Sequence, residues 1–214
     1  MQHTAVTRAH PAPLSRASLL AFAVLAAWFV TVFIAGAAGG FITPSGQPPI
    51  RIALGFGLPM LVFFTLLTTS RGFRDFIVGL DLPLITAVQA WRVGGFVFIA
   101  FYTYNLLPGT FAWPAGLGDI AIGTAAPWMA LALTRRTDFL ASKTFKVWNY
   151  LGITDLVLAV TLGTVDSVLA TGAAGEISTK PMSQLPLALI PVFLVPLFLM
   201  LHVAALMQAP NAKQ

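Results

Sequence analysis

The chain has 214 residues, of which 57% are hydrophobic and only 9% charged, with a net charge of +5. A soluble domain carries about 25% charged residues, so a deficit this large excludes an ordinary soluble fold and implies a surface facing lipid. The absence of cysteine excludes disulfides, Fe–S clusters and thiol catalysis, and the scattering of the basic residues over short stretches excludes a nucleic-acid face.

In chain order, the N-terminal stretch 1–17 reads as a polar tail. Arg8 and Arg16 followed by an apolar run resemble a secretory signal, but the run of about 20 residues exceeds the ~7–15 of a signal core, and a retained first span is expected. Six apolar segments follow, at 18–41, 51–69, 84–107, 114–134, 147–169 and 184–207. Each is near the ~20 residues that cross ~30 Å of hydrocarbon. The expected fold class is all-α, a polytopic six-helix membrane bundle forming one domain over 18–207, with a short tail at 208–214.

Gly36 and Gly40 form a small-xxx-small pair late in the first span, a spacing that favours close helix approach. Residues 70–82 place Phe73, Phe76, Ile77 and Leu80 at helical spacing beside Arg71, Arg74 and Asp75, which suits a short helix on the inner membrane surface. The fourth segment is interrupted by Gly116, Gly118, Gly123 and Pro127, and the sixth carries Pro186, Pro191 and Pro196. A faint echo links 115–122 to 151–158, with Gly116 and Asp119 at the offsets of Gly152 and Asp155. Consecutive spans run in opposite directions, so the echo suits an inverted pair.

Orientation follows from the cations. If the N-terminus is cytoplasmic, Arg8, Arg16, Arg71, Arg74, Arg135, Arg136, Lys143, Lys146 and Lys213 lie inside and only Arg51 and Lys180 outside. Positive residues favour the inside, which predicts both termini in the cytoplasm. The short loops suit a bacterial inner membrane.

Charge inside a span costs at least about 2.5–3.5 kcal/mol unless it is paired, hydrated or at work. Arg92, Asp119, Asp155 and Asp166 are therefore the candidate site residues, with Gln89 and His202 beside them. At ~1.5 Å per residue, Arg92 and Asp155 fall within about 5 Å of the midplane on the same side, and a contact between them is expected. Gln89, one turn below Arg92, matches His202 in depth, giving an expected cluster of Gln89, Arg92, Asp155 and His202. Asp119 falls about 7 Å outward, where it either joins a polar track or caps the fourth helix. Asp166, three turns beyond Asp155, extends that track with Tyr102, Thr103 and Asn105. A purely structural Arg92–Asp155 pair that fixes helix register is the plain alternative. Trp113 and Trp148 are expected at the membrane interfaces, and Trp28, Trp91 and Trp128 in deeper packing.

Gly116-Leu117-Gly118-Asp119, with a second aspartate in the next span, resembles the G-x-G-D element of intramembrane aspartyl proteases, including the prepilin peptidases. That resemblance implies two carboxylates sharing a proton. The pattern departs from the family in that Asp155 follows the element instead of preceding it, and in an expected separation of about 10 Å along the membrane normal. The motifs of haem, zinc, retinal and phosphate sites are missing, so no cofactor or metal is expected. The function that the aligned polar groups favour is a small-solute or ion permease, proton-coupled, with its site among spans three to six. An intramembrane aspartyl hydrolase using Asp119 and Asp155 is the second reading, and a non-catalytic membrane scaffold or assembly factor the third. The expected partners are the lipid bilayer and a small solute or ion; a homodimer is compatible with six spans.

Overall fold

A computed structural model describes residues 16–136 and 138–209. Arg8, Lys213 and nearly all of both expected tails lie outside the described residues. The described chain is helical: α1 (Arg16–Ala37), α2 (Ile50–Thr69), the short α3 (Arg71–Val78), α4 (Leu82–Thr103), α5 (Gly109–Arg135), α6 (Lys143–Leu169) and α7 (Ile190–Gln208). All but α3 are long and apolar enough to cross a membrane.

The burial pattern is inverted relative to a soluble bundle. Trp91 is 80% exposed while its neighbour Arg92 is 2% exposed, and Trp128 is 63% exposed. Gln89, Asn149, Thr86 and His202 are buried, while Leu20, Leu61, Leu84 and Leu151 face outward. Apolar side chains need no burial where the surroundings are themselves apolar, so it is the polar groups that turn inward. Trp91 and Trp128 thus face away from the bundle, contrary to the expectation of deep packing. Trp28 does pack, with its ring 4.6 Å from that of Phe193.

Three boundaries differ from expectation. α1 stops at Ala37, Gly39 takes φ +70°, and Gly40 N–H donates to Ala35 O. Gly40 therefore lies in a turn, and only Gly36 serves close packing: a Cβ there would sit 2.9 Å from Leu185 Cδ2. α5 begins at Gly109, directly after Pro108, which is more than a turn earlier than the sequence pattern suggests. α7 begins at Ile190, with Pro191 in its first turn, where a missing backbone donor is tolerated; its first five residues are π-wound.

α3 is a helix as expected. Its start is capped by Ser70 Oγ, which accepts from Phe73 N–H at 3.3 Å. Its apolar side packs on the bundle: Ile77 is buried in the core that contains Phe63, Phe145 and Trp148, and Phe73 meets Phe63 edge to face.

α4 through α7 surround the centre. Above it lies a core of Phe98, Leu107, Phe111, Ala112 and Met182. Below it lies the core of Phe145, Trp148 and Ala204. α4 is not uniform: Gln89–Gly95 is wound as a 3-10 helix. Seven residues is long for that winding, which tends to mark a functional or strained segment. Here it is held against α5 by glycine. A Cβ on Gly95 would lie 2.6 Å from Asp119 Cβ, and one on Gly123 would lie 2.9 Å from the Arg92 carbonyl carbon. Gly116 and Gly123, which read as interruptions in α5, are points where the backbones of α4 and α5 come close.

Candidate functional site

Arg92 sits at mid-length of α4 with its side chain fully enclosed. Every polar atom of the guanidinium is engaged. Nε donates to Asp119 Oδ1 at 2.7 Å, and Nη2 donates to Asp155 Oδ2. Nη1 donates to Gly152 O at 3.2 Å and to His202 Nε2 at 3.0 Å. Four groups from α5, α6 and α7 thus converge on one side chain of α4.

The donors fix the state of the histidine. Arginine can only donate, so His202 Nε2 accepts and the ring proton is on Nδ1. Nδ1–H donates to Asn149 Oδ1 at 2.9 Å, and Asn149 Nδ2 donates in turn to Phe145 O at 2.9 Å. The imidazole is neutral, with Trp148 packed edge to face against it at 5.3 Å. Trp148 is therefore a wall of the site and not an interfacial anchor. Trp113, 43% exposed, lies against Tyr102.

One guanidinium faces two carboxylates, so the set carries one excess negative charge when both are ionised. The Asp119 and Asp155 side chains keep 15% and 11% exposure, whereas that of Arg92 keeps none.

Glycine makes the convergence possible. A Cβ on Gly118 would overlap the Asp155 carboxylate, and one on Gly152 would overlap His202 Nε2. Asn149, Gly152 and Asp155 recur three apart, on one face of α6. Asn149 was not among the expected site residues, although this spacing marks it. In both stretches of the echo, 115–122 and 151–158, the glycine three residues before the aspartate lies at a close approach, Gly116 to Ile99 and Gly95 O and Gly152 to His202.

The site residues expected from sequence are brought together unequally. Arg92, Asp155 and His202 meet as anticipated. Asp119 neither caps α5 nor lies 10 Å from Asp155; because α5 starts early, Asp119 sits in its third turn and reaches the same guanidinium edge as Asp155. Gln89 is buried nearby but does not join the cluster. Its Nε2 donates to Phe198 O at 3.1 Å, one turn before His202, and its Oε1 has no partner among the described residues. Asp166, in the last turn of α6, ties down the α6–α7 connection: its Oδ2 accepts Thr179 N–H at 2.6 Å. In the same connection Glu176 takes Thr171 and Gly172 N–H, and these bonds hold its carboxyl below the usual range. Tyr102, Thr103 and Asn105 do not form the expected track: Thr103 bonds back to Ala100 O, Tyr102 packs on Trp113, and Asn105 ends α4 with φ +55°.

The polar approach runs elsewhere. A cavity of about 80 Å³ opens between the α1–α2 and α6–α7 connections, at Thr43, Ser45, Thr179 and Lys180, and extends to Asp119. Arg92 and Asp155 are not in its lining. Among the described residues there is no group of three metal-ligating side chains.

A shared-proton aspartyl dyad has a proton because two adjacent carboxylates cannot both ionise. Here the two aspartates do lie close together, as the G-x-G-D resemblance implies, but Arg92 donates to both, a contact that the resemblance does not imply. What the arrangement supplies is one buried guanidinium shared by two carboxylates, one of which, Asp119, lines a cavity that opens at one end of the bundle.

Neither the curated proteins nor the solved structures contain a match to the chain. The family model described as Domain of unknown function (DUF8737) matches residues 49–209, most of the chain and every residue of the Arg92 site, and the chain belongs to that family.

Proposed function

We propose that the chain is a multi-pass integral protein of a bacterial inner membrane, with both termini cytoplasmic, acting as a proton-coupled permease for a small solute or ion. The observation that carries this reading is that one guanidinium serves two carboxylates, Asp119 and Asp155, and that Asp119 lines a cavity. The second carboxylate provides a place for a proton or cation, and the cavity provides its route. The π-wound start of α7 and the 3-10 segment of α4 are irregular windings of the kind found where a helix lines a path.

The chain has no cysteine, so single cysteines can be introduced without removing others. Thr164 lines the cavity, while Val157, on the same helix, is 49% exposed on the outer surface of the bundle. In vesicles of known orientation, Thr164→Cys is expected to react with a membrane-impermeant thiosulfonate only from the side opposite the termini. Val157→Cys is expected to react from neither side. A Thr164→Cys variant inert from both sides would mean a closed, dry bundle and would favour the scaffold.

A further inference from the structure

The cavity above Asp119 has a polarity that selects among cargoes. Its walls are largely apolar, with Phe98, Phe111, Leu156 and Val160 among them. The hydroxyls along α6 and that of Thr179 are already committed as donors. Thr164 Oγ1 donates to Val160 O at 2.8 Å, Thr179 Oγ1 to Gly163 O at 3.0 Å, and Ser167 Oγ to Gln47 O at 3.3 Å. A hydroxyl that donates to a backbone carbonyl has only lone pairs left to offer. Asp119 uses Oδ1 on Arg92, and its Oδ2 has no hydrogen bond among the described residues. The inner cavity is thus a set of acceptors around one carboxylate. Lys180, the cation of the lining, is exposed at the rim, where water and salt screen it.

A bare divalent cation would find too few ligands, since Mg²⁺ and Ca²⁺ take about six or more oxygens and the inner wall is mostly carbon. An anion would meet lone pairs and Asp119. A neutral apolar molecule would leave the Asp119 oxygen uncompensated. An N–H cation with a short aliphatic body satisfies both parts of the wall.

We propose that this cavity binds a small organic ammonium ion, with its N–H groups on Asp119 Oδ2 and the neighbouring lone pairs and its carbon body against Phe98, Phe111 and Val160. The proposal rests on the permease reading and names the class of its cargo. A cavity of about 80 Å³ takes a body of roughly five to eight heavy atoms, at ~10–15 Å³ for each water-sized unit.

The test compares n-butylammonium chloride with 1-butanol, its neutral isostere, and with sodium chloride at equal ionic strength. Thermal unfolding of the purified full chain in detergent is the readout. At about 20 mM, butylammonium is expected to raise Tm by roughly 2–4 °C, with butanol and sodium chloride giving no rise. Asp119→Asn is expected to abolish the shift. So is Ala159→Phe, which fills the cavity wall without touching the Arg92 set; if Asp119→Asn fails to fold, Ala159→Phe carries the comparison. Equal shifts with butanol, no shift with butylammonium, or a shift that survives Ala159→Phe would overturn the proposal. If butylammonium is inert while Thr164→Cys still labels from one side, the cargo class is wrong and the permease reading stands. If neither occurs, both fall.

Discussion

Replacing Arg92 with Met is expected to destabilise the fold by about 3–5 kcal/mol, the cost of breaking a buried charge pair from one side. Arg92 is 2% exposed and donates to Asp119, Asp155, Gly152 O and His202. Met fills similar volume but leaves two adjacent carboxylates without a cation and two further acceptors without a donor. The loss should show as a fall in thermal midpoint and in yield of monodisperse protein. Adding Asp119→Asn and Asp155→Asn to the same chain removes both orphaned charges and is expected to recover at least half of the loss. Arg92→Lys should fall between, because one ammonium cannot reproduce a planar fork that serves three helices. An Arg92→Met chain within about 0.5 kcal/mol of the parent would mean that the guanidinium does not organise the centre.

The second large effect belongs to residues with no side chain. Gly118→Ala would drive a methyl group into the Asp155 carboxylate, and Gly152→Ala would drive one into His202 Nε2. Each is expected to cost about 1–3 kcal/mol through overpacking, even though alanine is the better helix former by about 1 kcal/mol. Gly57→Ala, in α2, has nothing within 4 Å of the new methyl. It is expected to stabilise by about 0.5–1 kcal/mol. The opposite signs separate close approach from helix propensity, and parallel thermal melts of the three variants read them. Three shifts of the same sign would remove glycine packing from the explanation.

The six long helices are legible in the sequence because nothing but hydrocarbon tolerates so long a run of apolar residues at so low a charge. The meeting of Arg92, Asp155 and His202 is legible for the related reason that ionic groups in such runs must find one another. Asp119 was misplaced because Trp113-Pro114 and the glycines after it look like a helix start. In fact α5 tolerates Pro114 and Pro127 within its length and begins at Gly109. A start five residues late shifts the midpoint of α5 by two residues, sets Asp119 about 3 Å too far outward and makes a ligand of Arg92 resemble a helix cap. The polar approach was placed on Tyr102, Thr103 and Asn105 because depth was the available guide. Its actual lining joins two connections and a face of α6 to Asp119 of α5 and apolar residues of α2, α4 and α7, a juxtaposition that only the fold creates. Asn149 was overlooked because it lies near the start of its span, yet its spacing to Gly152 and Asp155 carries the same information as theirs.

The balance of charge is the centre of this account, and a double-mutant cycle over Asp119→Asn and Asp155→Asn, with Arg92 intact, measures it. Either single variant leaves Arg92 one carboxylate, whereas the double variant leaves a buried cation with none. The double is therefore expected to lose more stability than the two singles together, by about 1–3 kcal/mol. Additivity within about 0.5 kcal/mol would mean that the two aspartates do not share Arg92.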